Sequence, residues 1–124
     1  TKGCINQLSH ARALAARHPE VGLTVDFHHS WWDEDLAPTI AAAPADILVV
    51  QICGQIVPPD GTAARRAELS QGPADLALFL RDLDQAGYGG AIEYEVFWDQ
   101  MGQPELEGLL NRAVQDFLAL TRAE

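Results

Sequence analysis

Residues 47–52 read ILVVQI, an apolar run broken only by Gln51. A strand needs such a run when other structure covers both of its faces, whereas a strand with one wet face alternates polar and apolar residues. Working backwards, VGLTVDF at 21–27 is a second apolar, β-branched stretch, and polar residues take over at its C-terminal end in Asp26, His28, His29 and Ser30. Working forwards, AIEYEVF at 91–97 alternates strictly and predicts a third strand.

Helical periodicity fills the intervals. Ile5, Leu8, Ala11, Leu14 and Ala15 share a stripe over 5–17, and His18-Pro19 stops it. A second helix is predicted from Asp35 to Ala43, ended by Pro44. The clearest helix runs from Ala74 to Ala86, with Leu76, Phe79, Leu80 and Leu83 on one face and Gly87 as its stop. Pro104 opens the last helix, through about Thr121, bearing Leu106, Leu109, Leu110, Ala113, Phe117 and Leu120. Residues 53–73, with Pro58, Pro59, Gly61, Gly72 and Pro73, form a connection too long to be a simple link, and such a connection is usually functional or mobile.

One helix followed by three strand–helix units demands right-handed crossovers and parallel pairing. The fold class is therefore α/β, with three strands side by side and helices outside. In such sheets the chemistry sits beyond the C-terminal strand ends. Asp26, His28 and His29, then Gln51, then Glu95 fall there.

The whole chain, residues 1–124, reads as a single domain, and a complete eight-fold barrel of about 250 residues does not fit in it. With 48% hydrophobic and 21% charged residues, the chain has the composition of a globular domain with a real core. Its net charge of −10 repels phosphate backbones and anionic lipid, so neither nucleic acid nor a membrane surface is an expected partner. Cys4 and Cys53 are too few for a disulfide framework and lack zinc-site spacing, which reads as reduced thiols in a cytoplasmic protein. No apolar run of about 18 residues and no signal-peptide pattern occurs. Met101 is the sole methionine, so Thr1 is expected to lie partway into a longer chain or to follow processing.

The run Asp26-Phe27-His28-His29, Gln51 in VVQICG, Glu95 in IEYEVFWD and the segment LSQGPADLALFLRDLDQAGYGG resemble the sugar phosphate isomerase/epimerase family of xylose isomerase-like TIM barrels. The likeness spans about Val21 to Leu120 and implies the last three strands of a (β/α)8 barrel, a partial barrel. It implies a divalent metal held by Asp26, Gln51 and Glu95, with Glu95 also moving a substrate proton and His29 touching substrate. Gln51 stands where many members carry a histidine, and the first metal glutamate of the family would lie before Thr1. As a neutral oxygen donor, Gln51 favours Mn²⁺, Mg²⁺ or Co²⁺ over Zn²⁺. An arginine in the penultimate connection often binds the substrate's polar end in this family, and Arg65 and Arg66 are both candidates.

The implied chemistry is coherent. Isomerising or epimerising a keto sugar removes a proton next to a carbonyl, which a metal ion assists by stabilising the enediolate and a carboxylate by carrying the proton. The expected ligand is thus a small-molecule sugar or sugar phosphate.

Plainer readings stand beside these. Asp26 can cap the helix that follows it. His28 and His29 point different ways if the strand continues, which leaves at most one facing the pocket. Glu93 and Glu95 share a strand face, and a solvated face explains both; in a barrel that face is the interior, where Glu93 becomes a supporting or ion-paired residue. Gln51 is a satisfied buried amide or a ligand. Trp31, Trp32 and Trp98 stack sugars or simply pack, and Cys53 is structural. The acidic runs Asp33-Glu34-Asp35 and Glu105/Glu107 read as solvated helix starts, and Asp60-Gly61 as a turn.

Two further functions compete with the isomerase reading. An endonuclease of the same barrel superfamily calls for Asp-x-His at the middle strand end, where Gln51-Ile52-Cys53 stands, and the acidic charge opposes it. A non-catalytic part-barrel that binds a partner is the other, because three parallel strands leave two open edges. On that ground the chain is expected to pair with a second copy or with a missing N-terminal half, and to show little catalysis alone.

Overall fold

A computed structural model describes residues 4–72 and 75–122. In chain order the elements are helix α1 (Leu8–Ala15), strand β1 (Leu23–Asp26), the single helical turn α2 (Phe27–Ser30), α3 (Leu36–Ala42), β2 (Ile47–Ile52), β3 (Gly54–Ile56), β4 (Arg65–Ala67), α4 (Leu76–Gln85), β5 (Ala91–Tyr94) and α5 (Leu106–Arg122). β1, β2 and β5 form one sheet in that order, with both pairings parallel. The described residues therefore build parallel βα units and no closed barrel. Among them β1 and β5 each pair on one side only, which leaves the two expected open edges. No described helix is long and apolar enough to cross a membrane.

The core lies between the sheet and the helices. Val25, Ile40, Val50, Ile52 and Leu83 are each no more than 2% exposed. Full burial of such a side chain stabilises by about 1.5–3 kcal/mol. The Phe27 and Phe79 rings stack at 4.7 Å, joining the β1 tip to α4. The stripe read from the sequence, Leu76, Phe79, Leu80 and Leu83, is the face that α4 buries. α4 starts where Asp75 accepts from Leu78 N at 2.8 Å and ends at Gly87, whose φ of 76° lets Tyr88 N reach Leu83 O. Pro73 and Ala74, where the linker was expected to end and this helix to begin, lie outside the described residues.

Local chemistry shortens several predicted elements. The strand predicted to reach Phe27 stops at Asp26, because the Asp26 carboxylate accepts from His28 N at 2.9 Å and turns the chain into α2. The third strand leaves the ladder after Tyr94, with one further bond from Glu95 N to Ile52 O. The long connection is ordered by an antiparallel ladder, Gly54 to Ala67, Gln55 to Arg66 and Ile56 to Arg65, which no periodicity announced. Asp33 is also corrected: it is 6% exposed rather than solvated, and its carboxylate accepts from Leu8 N and Asp35 N. It thereby caps α1, whose own N-cap residue Gln7 makes no side-chain bond.

The β3–β4 ladder needs glycine at 54. A Cβ there would lie 1.7 Å from Glu68 O and 2.5 Å from Gln71 O, both backbone atoms. Gly54→Ala is expected to cost at least about 1–3 kcal/mol in urea denaturation. Gly87→Ala, which meets open space and strains only its φ, is the comparison and should cost less. Equal costs at the two positions would show that the close approach at Gly54 is not tight.

Glu68, the residue after β4, is tied to α5. Arg112 donates Nε and Nη2 to the two Glu68 carboxylate oxygens at 2.8 and 2.9 Å. The Arg112 hydrogen bonds hold the Glu68 carboxyl below its ordinary value of 4.5. The stabilisation is complete above that ordinary value and is lost as pH falls through the lowered folded-state value. Glu68→Gln should therefore melt below the wild type at pH 7, and the gap should close on acidification. A gap that widens in acid would contradict the sign.

A candidate active site at the strand tips

Register brings the predicted residues together. Asp26 ends β1 directly opposite Gln51 in β2, and Gln51 lies opposite Glu93 in β5, with Glu95 two residues beyond. Asp26, Gln51, Glu93 and Glu95 thus stand at one rim of the sheet. Gln51 Nε2 donates to Glu93 Oε2 at 3.3 Å, and its Oε1 accepts no hydrogen bond among the described residues.

Arg66 binds this rim together. Its Nη2 lies 2.5 Å from Asp26 Oδ2 and 2.9 Å from Glu95 Oε2, so the two carboxylates converge on one nitrogen. Nη1 reaches Asp26 Oδ1 at 3.3 Å, Glu95 O at 3.4 Å and Cys53 Sγ at 3.5 Å. The guanidinium also sits 5.2 Å above the Phe97 ring. Only 4% of the side chain is exposed. Burial works against its charge, yet the hydrogen bonds and attraction of Asp26 outweigh it and raise the Arg66 pKa. Glu95 Oε2 meets Nη2 without a directed hydrogen bond and is itself buried.

The two histidines lie in the helical turn α2 and not on a continuing strand. The alternation expected to leave only one of them facing the pocket therefore does not apply, and both line one groove beside β1. His28 Nδ1 is buried with no hydrogen-bond partner among the described residues, and burial first, then the Arg66 and His29 charges, lower its pKa. His29 is 73% exposed, with Nε2 3.7 Å from Asp26 Oδ2, and so stands at the open side of the aspartate. An open groove of about 750 Å³ beside β1 is lined by Asp26, His28, His29 and Trp32, which gives a ligand room next to His29. Cys53 is fully buried, and its thiol is pushed up by burial despite Arg66.

Of the two arginine candidates, the β3–β4 ladder sends only Arg66 into the site; Arg65 is exposed and pairs opposite Ile56. Adjacent residues on a strand face opposite sides, so the ladder permits one of them and not both. The sequence held both residues but not the ladder, and the bridging of Asp26 to Glu95 by Arg66 had no signal in it.

The donors fit an oxygen-ligated divalent cation. Two carboxylates converge, one of them through a buried oxygen with no directed hydrogen bond, and an amide with an uncommitted oxygen adjoins Asp26 in register. Hard oxygen donors of this kind suit Mg²⁺ or Mn²⁺. No group of three His, Cys, Asp or Glu residues suited to a metal occurs among the described residues, and the point on which Asp26 and Glu95 converge is held by Arg66 Nη2.

The chain is similar to protein SMc04130 from Sinorhizobium meliloti 1021, whose crystal structure matches with a TM-score of 0.80 at 29% identity. The match covers 95% of this chain and 44% of that one, so this chain spans less than half the length of that protein. No curated protein matches it by sequence. The family model described as xylose isomerase-like TIM barrel matches residues 1–119. Three parallel βα units with their polar residues gathered at the C-terminal strand tips agree with that match, and the chain belongs to the xylose isomerase-like TIM barrel family.

Proposed function

We propose that this chain is the C-terminal portion of a metal-dependent isomerase or epimerase that acts on a sugar or sugar phosphate by proton transfer next to a carbonyl. Asp26, Gln51 and Glu95 hold the divalent ion, Mn²⁺, Mg²⁺ or Co²⁺ before Zn²⁺. The observation that carries this reading is the convergence of Asp26 Oδ2 and Glu95 Oε2 on one point. When bound, the ion supplies Lewis-acid polarisation of the substrate's oxygen atoms.

The chain's own residues supply the rest. Glu95, the more exposed of the two carboxylates at 31% against 14%, is the one that a substrate proton can reach. Asp26 is fixed by His28 N and Arg66 and serves as an anchor rather than a mobile base. His29, exposed beside Asp26, donates to or accepts from a substrate hydroxyl. Arg66, 4% exposed and committed to Asp26 and Glu95, can meet a polar end of the substrate only if it leaves those carboxylates.

The test is deuterium incorporation from D₂O into a panel of ketoses and ketose phosphates by the parent protein, read by mass spectrometry with Mn²⁺ and with EDTA. Metal-dependent incorporation at the carbon next to the carbonyl is expected. Its absence across the panel with Mn²⁺, Mg²⁺ and Co²⁺ would contradict the proposal.

The open edges of β1 and β5 favour a second reading, a non-catalytic part-barrel that assembles with another chain. Light scattering on residues 1–124 separates the two. Self-association without any metal-dependent chemistry in the parent supports the second reading.

A further inference from the structure

We infer that Arg66 is a built-in counter-ion that competes with the divalent cation for Asp26 and Glu95, so that cation binding must drive the guanidinium off the two carboxylates. This rests on the metal reading above and deepens it. The oxygens that would ligate the ion, Asp26 Oδ2 and Glu95 Oε2, are the ones that Arg66 Nη2 contacts at 2.5 and 2.9 Å. A divalent ion needs its oxygens at about 2.0–2.6 Å and leaves no space for a nitrogen between them.

Electrostatics points the same way. Arg66 Nη2 sits directly between two of the rim's three carboxylates, Asp26 and Glu95; an added divalent ion at that point sets two cations within a few ångströms in a part-buried site. A histidine relieves such a conflict by losing its proton. An arginine does not deprotonate in proteins, so it must move or exclude the ion.

The means of movement are visible. Arg66 lies on β4, whose only strand partner among the described residues is the three-residue β3. Its other contacts, Cys53 Sγ, the Glu95 backbone carbonyl and the Phe97 ring, involve neither carboxylate. The arrangement couples occupancy of the metal site to the position of the one arginine that faces it.

The test is Mn²⁺ titration of the full chain, followed by the electron paramagnetic resonance signal of free Mn²⁺, for the wild type, Arg66→Met and Arg66→Lys. Arg66→Met is expected to bind Mn²⁺ about tenfold or more tightly than the wild type, and Arg66→Lys to fall between them. Mn²⁺ should also raise the melting temperature of Arg66→Met by more than that of the wild type. If Arg66→Met does not fold without metal, Arg66→Lys carries the comparison, since its single ammonium keeps the charge but not the planar fork. Equal or weaker binding by the variants overturns the competition and leaves the metal reading standing. Failure of Mn²⁺ to bind any of the three proteins overturns both.

Discussion

Replacing Arg66 with methionine lowers metal-free stability by about 3–5 kcal/mol, the cost of removing one partner from a buried ion pair. The methylene stem is replaced, and what is lost is the charge between Asp26 and Glu95. The two carboxylates then face each other at a rim where Asp26 is only 14% exposed, and Cys53 Sγ loses its donor. The neighbouring Arg65→Met, on an exposed side chain, is expected to change stability by no more than about 0.5 kcal/mol. Urea denaturation in EDTA measures both. A loss below about 1 kcal/mol at Arg66 would place the pair in the class of exposed surface bridges and remove its structural role.

On the proposed function, Glu95→Gln is expected to lower kcat of the longer protein by about 10²–10⁴, the usual contribution of a positioned acid or base. The amide keeps an oxygen that can face the metal but has no site for a substrate proton. The loss should therefore persist at saturating Mn²⁺, which separates proton transfer from metal retention. Glu93→Gln is the control. Glu93 shares the strand face with Glu95 but accepts from Gln51 Nε2, so its replacement disturbs the support of Gln51 and is expected to cost less than about tenfold. Retention of a tenth or more of the activity by Glu95→Gln would exclude that residue as the proton carrier.

The parts of the fold that were legible in the sequence are those fixed by long-period hydrophobic pattern. ILVVQI forms β2 over its full length with Ile47, Val50 and Ile52 buried, although Leu48, 66% exposed, lacks the cover that an apolar run on both faces led one to expect. The α4 stripe is legible for the same reason. The boundaries were not, because single side chains set them: Asp26 turns β1 into α2 with one carboxylate. The role of Asp33 was hidden by distance, since the donor it satisfies, Leu8 N, lies 25 residues earlier. An acidic run next to a helix start looks solvated until the tertiary partner is known.

The site was legible as a set of residues and not as a network. Parallel pairing of neighbouring strands places Asp26 beside Gln51 and brings Glu95 to the same rim, which alternation and strand order already imply. The link between them is Arg66, delivered by a short antiparallel ladder of six residues in a segment with no periodicity to read. Its depth in the site follows from Gly54, where a missing Cβ lets the backbone of 68 and 71 approach.

The central claim is that Asp26 and Glu95 form a single cation site. Isothermal titration of Mn²⁺ into the wild type, Asp26→Asn, Glu95→Gln and the double variant tests it most directly. The account predicts that either single change weakens binding by about 10–100-fold or more, and that the double variant loses little beyond the worse single one. Wild-type affinity in either single variant would contradict it.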